Sequence, residues 1–213
     1  MSSYSSTKKA FSGSGKVHGS VMPNIEFNWR RSDYDRIVQR LEKIANRTTL
    51  RKAINRAAKR AADCGVTFIK RGIAADTTLS PTDIGKKVKP YAHGSPLDMS
   101  IGVKISDTAR PLSDFSFTPK KPQYRTAPVV EILKGRKQKW DKGAFVAKMP
   151  SGHIGIFQRE TDERMPIIQK TGPSVTGLFK ENENVHQMVW EKIFETFEQR
   201  VEHELEFLLN GNN

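Results

Sequence analysis

The sequence predicts an α+β fold, in which a small antiparallel sheet packs against N-terminal helices and one long C-terminal helix. Three patterns predict this fold class. Apolar residues recur at helical spacing over residues 48–71 and 184–209, and they alternate with polar residues over residues 98–106. Short strand-like runs separated by turn residues fill residues 143–169. A chain of 213 residues has room for one such domain and an arm.

Composition divides the chain into residues 1–31, an extended N-terminal arm, and residues 32–213, a single domain. The first 24 residues are rich in Ser, Gly and Lys, which is typical of a flexible arm. Ile25, Phe27 and Trp29 lie on one face of a short predicted strand. Ser32 is placed to cap a first helix over residues 32–45.

A longer helix is predicted from Thr48 or Thr49 to about Arg71. Gly65 inside this helix is an expected weak point, since Gly costs about 1 kcal/mol against Ala. The only cysteine, Cys64, rules out an internal disulfide and is expected to be a buried small side chain. The predicted apolar side consists of Leu50, Ile54, Ala57, Ala58, Ala61, Cys64 and Phe68.

The middle of the chain alternates between strand and turn patterns. Ser80 and Pro81 begin a predicted short helix that serves the basic segment 84–89. Strands are predicted over residues 98–106 and 129–133, with a basic turn over 135–139. Residues 110–125 contain three prolines and the separated Phe115 and Phe117, which predicts a long loop that makes an interface.

Residues 143–174 are expected to form an antiparallel meander under the helix that follows. Phe145, Ala147 and Met149 lie on one face of its first strand, and residues 150–153 supply the turn. The second strand covers 154–159, with Ile154, Ile156 and Phe157 as core candidates, and the third covers 165–169.

The final helix carries an apolar row that recurs every fourth residue from Val185 to Leu209. Each step advances 400°, so the row turns by about 240° in all, whereas one buried stripe is about 100° wide. We therefore expect a second covering surface; the alternative is a helix end exposed to solvent. The expected subunit-interface residues are Phe115, Phe117, Val189, Ile193, Phe197, Val201, Leu205 and Leu209.

The charge is unevenly distributed along the chain, whose net charge is +13. Residues 1–75 contain 16 basic and 5 acidic residues, whereas residues 143–213 contain 7 and 11. This asymmetry favours binding to nucleic acid, or self-assembly through the acidic helix of one copy and the basic helix of another; a solvated basic surface is the third interpretation. The expected DNA-facing or bore-facing residues are Arg51, Lys52, Arg56, Lys59, Arg60, Lys134, Arg136, Lys137 and Lys139.

No residue pattern predicts catalysis, a metal site or a cofactor. The five histidines lack HxxxH spacing and cysteine neighbours. Ser151 and His153 fit a hairpin turn, and no separated pair of acids suggests a glycosidase. No apolar run approaches the roughly 20 residues of a membrane span. We therefore expect a protein that is neither an enzyme nor a membrane protein.

One part of the chain resembles a known family. The run GAFVAKMPSGHIGIFQR at residues 143–159, MPI at 165–167, GPSV at 172–175 and LF at 178–179 resemble the phage and prophage minor tail protein Z family, the tail-completion proteins. The likeness covers the last third well, continues faintly in LRKAINRAAKRAA at 50–62, and omits the first thirty residues.

The resemblance implies a structural virion protein, made in the host cytoplasm, that acts in tail completion at the head-proximal end of the tail. The implied assembly is a homo-oligomeric ring in the neck. It would contact the tail terminator, the tail tube or neck proteins, and its bore would hold DNA or the end of the tape-measure protein. The alternative is a nucleic-acid-binding module without sequence specificity.

Overall fold

The secondary structure confirms the predicted α+β class. The computed structural model describes residues 24–28, 47–95, 98–140 and 143–210. Its helices are α1 (Arg47–Asp76), α2 (Pro81–Gly85), α3 (Val175–Lys180) and α4 (Glu183–Asn210). Most of the predicted arm and the predicted helix over 32–45 lie outside the described residues. The strands are β1 (Asn24–Asn28), β2 (Val88–Ser95), β3 (Asp98–Ile105), β4 (Arg110–Pro111), β5 (Ser116–Thr118), β6 (Val129–Glu131), β7 (Lys137–Lys139), β8 (Ala144–Lys148), β9 (Ile154–Arg159), β10 (Ile167–Gln169) and β11 (Thr171–Gly172).

The strands form several small antiparallel sheets rather than one. The described residues contain sheets with the orders β1-β3-β2, β5-β6-β7 and β10-β9-β8, together with the pair β4 and β11. The meander predicted over residues 143–169 is confirmed as β8, β9 and β10. The sequence predicted one sheet, the meander, whereas the described residues contain the meander and three further β-structures.

The β2–β3 hairpin supplies the sheet surface on which α1 packs. Met99, Ile101, Val103 and Ile105 of β3 are fully buried, as their alternation predicts. The short helix was predicted to serve residues 84–89, but it ends at Gly85, and the chain enters β2 at Val88. Pro90 is tolerated there because β2 is an edge strand of its sheet.

Helices α1 and α4 run antiparallel and in close contact. A Cβ at Gly72 would lie 2.7 Å from Cγ2 of Val185, and one at Gly65 would lie 2.6 Å from Cδ1 of Ile193. The same Cβ at Gly65 would lie 2.9 Å from Cγ2 of Val103 on β3. Gly65 therefore lies where both long helices meet the sheet.

The first half of the segment predicted as a long interface loop packs on the core, whereas residues 120–126 are exposed. It contains β4, a 3-10 turn at Leu112–Asp114 and β5. Phe115 and Phe117 are buried. The expectation that these two rings contact another subunit was wrong, because they cover the interior of the chain itself. The basic turn predicted over 135–139 likewise contains the exposed strand β7.

Each face of the meander carries buried apolar residues. Ala144, Val146 and Ile156 belong to the main core. On the opposite face, Phe145, Ala147 and Phe157 form a second cluster, with Met149 and Ile167 packed against it. The prediction that Phe145, Ala147 and Met149 share a face is confirmed.

Asp107 ties several elements together at the start of α3. Its side chain is 3% exposed. Its carboxylate accepts a hydrogen bond from the backbone N–H of Val175 at 3.1 Å and lies 3.4 Å from both Lys87 Nζ and Arg110 Nη1. Arg110, also buried, forms a second ion pair with Asp114 at 3.0 Å. Ser174 caps the same helix by accepting from the N–H of Gly177.

Candidate functional site

The apolar residues predicted to contact other subunits lie in the chain's own core. On α4, Val189, Ile193, Phe197, Val201 and Leu205 are all buried. The side chain of Leu209 lies outside the described part of the chain. The second covering surface expected for this row is α1 of the same chain, which runs along α4. The expectation that these five residues contact another subunit was wrong, because they are buried within the chain itself.

The basic residues predicted on α1 are exposed, and most share one side of the helix. Neighbouring residues in an α-helix differ by about 100°. Lys52, Arg56, Lys59 and Arg60 consequently occupy a sector about 100° wide, whereas Arg51 lies about 100° away from Lys52. The sequence therefore located a basic side of α1, and Arg51 alone is displaced from it.

Arg56 is engaged within the chain. Its Nε lies 3.1 Å from each carboxylate oxygen of Glu204 on α4, and its Nη2 donates to the same carboxylate. This hydrogen-bonded pair holds the pKa of Glu204 below its ordinary value. The acidic helix and the basic helix of one chain thus meet each other here, so Arg56 is not available as a free DNA contact.

The second predicted basic cluster lies far from the first. Lys134, Arg136, Lys137 and Lys139 are exposed. Lys134 Nζ, however, donates to the carbonyl of Ala74 at 2.7 Å and so caps the C-terminal turn of α1. Ala74 is about 21 Å along the helix from Arg60. The structure does not bring the two sets of cations together.

An open groove between α1 and α4 gathers cations that the sequence analysis did not connect. Its volume is about 600 Å³. Arg60 comes from α1, and Arg200 and His203 come from α4. Arg200 and His203 were missed because they lie on a predominantly acidic helix; their spacing of three residues was the available signal. The lining consists of Arg60, Asp63, Cys64, Thr67, Thr196, Gln199, Arg200 and His203.

The hydroxyl groups and the thiol in this groove are partly engaged. Thr196 Oγ1 lies 3.3 Å from Cys64 Sγ, and Thr67 Oγ1 donates to the backbone carbonyl of Asp63 at 3.1 Å. Cys64 is half-buried, which corrects the expectation of a fully buried side chain. Within the described ranges, Arg60 and Arg200 have no ion pair or hydrogen bond. Two guanidinium groups without a direct ion pair therefore line the groove, which also contains the carboxylate of Asp63.

An acidic ridge borders the groove on α4. Glu191, Glu195, Glu202 and Glu206 are exposed and fall within a sector of about 60°. Glu195 is paired with Lys192 at 2.6 Å. The groove residues of α4 occupy the neighbouring sector. The outer side of α4 is thus negative, and Arg200 and His203 lie on the neighbouring side that lines the groove.

Away from the long helices, large exposed apolar side chains lie on and beside the meander. Tyr124, Met165 and Ile168 are 65%, 62% and 48% exposed. The Tyr124 ring lies 5.5 Å from that of Phe145, beside a depression of about 680 Å³. Ile167 packs with Phe145 and Phe157, so Ile168, the next residue of β10, lies on the opposite face of the sheet from Tyr124. We call the three exposed residues together the meander patch, which borders both faces of the sheet. Sequence reasoning missed it, because only the folded sheet shows which apolar residues stay outside.

The described residues provide no cluster for metal chemistry. They contain no group of three or more His, Cys, Asp or Glu side chains placed to hold a metal ion. His153 lies 3.0 Å from the amide of Gln169, and His186 stacks on Phe179 with 4.0 Å between ring centroids. Among the helices described, none is long and apolar enough to cross a membrane.

Comparison of the chain with known proteins finds no match. No protein-family model, curated protein or solved structure matches it.

Proposed function

We propose that this protein is a structural virion protein of a phage tail that acts in tail completion at the head-proximal end. The proposal is carried by the ordered run at residues 143–179, which resembles the minor tail protein Z family. These residues fold as β8, β9 and β10, followed by α3 with its Ser174 cap, and they lead directly into α4. The resemblance thus spans one continuous supersecondary unit.

The exposed cations of α1 support a role beside DNA. Lys52 and Lys59 lie on one side of the helix and have no ion pair within the part of the chain that the structure describes. Such side chains bind phosphates through electrostatic attraction and counterion release, without reading the base sequence. This is the type of contact that suits DNA passing through a ring.

The ring proposed here needs a contact surface other than the buried row of α4. The meander patch is a candidate, because large exposed apolar side chains favour protein contacts. The partners under this proposal are further copies of the chain and the tail terminator, tail tube or neck proteins.

A particle assay tests the proposed function. The coding sequence would be deleted from the phage or prophage and restored in trans, and particles would be purified and imaged. We expect filled heads and separate tails without the protein, joined particles after restoration, and the protein in the neck of purified virions. Normal joined and infectious particles in the deletion strain would refute the proposal.

A nucleic-acid-binding module is the second candidate, favoured by the exposed basic side of α1. Gel shifts with duplex DNA, combined with size-exclusion chromatography, separate the two functions. Specific duplex binding by a monomer supports the module, whereas salt-resistant multimers with weak, unspecific binding support the ring. Lys52→Gln with Lys59→Gln is the test variant. Lys121→Gln with Lys148→Gln removes the same charge from other exposed positions and is the control.

A further inference from the structure

We infer that the groove between α1 and α4 is a binding site for a phosphate group. The site consists of Arg60 on one wall and Arg200 and His203 on the other, with Thr67, Thr196 and Gln199 as further polar side chains. This inference concerns a binding site on the single chain and does not require the virion role proposed above.

The charges of the groove are available to a ligand. Three other cations near the long helices are engaged: Arg56 with Glu204, Lys192 with Glu195, and Lys134 with the carbonyl of Ala74. Arg60 and Arg200 have no such partner in the described parts of the chain. Because Arg60 and Arg200 line the same groove from different helices, both charges attract an anion that binds between the helices.

The arrangement of donors favours phosphate over carboxylate. A carboxylate has two oxygens in one plane and is satisfied by one bidentate guanidinium. A phosphate group presents three or four acceptor oxygens in different directions and takes donors from several sides. Here the charged donors come from both walls, Arg60 from α1 and Arg200 and His203 from α4.

The boundaries of the groove limit the size of the ligand. The lining of α1 runs from Arg60 to Thr67, a length of about 10 Å. The acidic ridge of Glu195, Glu202 and Glu206 lies along the outer side of α4 and repels a long polyanion placed across both helices. The groove therefore fits a compact ligand, one or two phosphate groups that enter from the side of α1.

Asp63 supplies an internal check on this assignment. Its carboxylate lines the same groove and opposes an anion there. Asp63→Asn keeps the shape of the side chain and removes the charge, so it should tighten the binding of phosphate. If phosphate binding depended only on the overall charge of the protein, removing any exposed carboxylate would tighten it by the same amount.

The test is a calorimetric titration of the full-length protein with inorganic phosphate, pyrophosphate and a short DNA duplex at constant ionic strength. Arg60→Gln and Arg200→Gln should each weaken binding by about tenfold, the effect of losing a hydrogen bond to a charged group. Arg164→Gln, an exposed arginine of the β9–β10 turn, is the matched control and should bind as the parent does. Unfolding curves check that each variant is folded.

The three ligands distinguish the possible sources of the phosphate group. Binding of the inorganic ions that depends on Arg60 and Arg200 identifies free phosphate compounds as the ligand. Binding of the duplex alone, with the same dependence, identifies the phosphodiesters of nucleic acid. Equal affinities for all three arginine variants, or weaker binding after Asp63→Asn, would overturn the inference. None of these results bears on whether the protein occurs in virions.

Discussion

Gly65 of α1 lies directly beneath Ile193 of α4: a Cβ at this glycine would be 2.6 Å from Cδ1 and 2.8 Å from Cγ1 of the isoleucine. Ile193 and Val103 are both buried, so neither side chain can move freely away. The glycine that the sequence marks as a weak point of the helix is therefore the position that allows α1, α4 and β3 to approach one another. The loss in helix propensity is compensated by close packing.

Gly65→Ala should destabilise the protein by about 1–3 kcal/mol, the range typical of overpacking in a core. Helix propensity alone would give a stabilisation of about 1 kcal/mol, so the sign of the change separates the two effects. The measurement is the free energy of unfolding in urea. Gly177→Ala on α3 is the control, because its Cβ would meet Ser174 Oγ at an ordinary 3.5 Å. A Gly65→Ala variant more stable than the parent would contradict the close helix contact.

Asp107→Asn should cost about 3 kcal/mol in the free energy of unfolding, as expected when one partner of a buried ion pair is removed. The change leaves the buried Arg110 with Asp114 alone and weakens the hydrogen bond to the backbone N–H of Val175. Asp83→Asn is the control, since its pair with Lys86 is exposed, and it should cost less than about 1 kcal/mol. Equal losses in the two variants would show that Asp107 is not a structural link.

Phe197→Ala on α4 should lower the free energy of unfolding by about 3–5 kcal/mol, because the ring is 2% exposed and its removal leaves a cavity. Phe207→Ala on the same helix removes a ring that is 65% exposed, and stability should change by less than about 0.5 kcal/mol. If Phe197→Ala left stability intact and altered only self-association, the side chain of Phe197 would belong to a subunit interface, as the sequence analysis predicted.

Glu204→Gln should lower the free energy of unfolding at neutral pH. It should also make this free energy depend less on pH in the acid range. Hydrogen bonding to Arg56 lowers the pKa of Glu204 below the ordinary 4.5, so the folded state binds its proton less readily than the unfolded state. The stabilisation is present above about pH 5 and is lost as the pH falls through the folded pKa. Unfolding curves at several pH values should show the parent and the variant converging in acid. The effect is modest and shrinks in high salt, since Arg56 is exposed.

Glu206→Gln is the control for that experiment, because it removes an exposed carboxylate of the acidic ridge that has no ion pair within the described residues. A stability difference between parent and Glu204→Gln that stays constant down to acid pH would argue against the ion pair with Arg56.

The elements that the sequence predicted correctly are those whose apolar period is local. Met99, Ile101, Val103 and Ile105 alternate without interruption, and β3 follows them. The elements that sequence reasoning missed are strands that contain proline or are rich in lysine, such as β2 and β7. These segments form strands because they pair with a neighbouring strand, and such pairing leaves no regular apolar pattern in their own sequence.

The sequence by itself determined the fold class, the two long helices, the central hairpin of the meander and the basic side of α1, because each follows from periodicity or turn chemistry within a few residues. Only the tertiary structure decided which surfaces are free. The antiparallel register of α1 and α4 brings Arg56 to Glu204, 148 positions away, and places Arg60 in one groove with Arg200 and His203. It also buries the apolar row of α4, because the covering surface belongs to distant segments of the same chain.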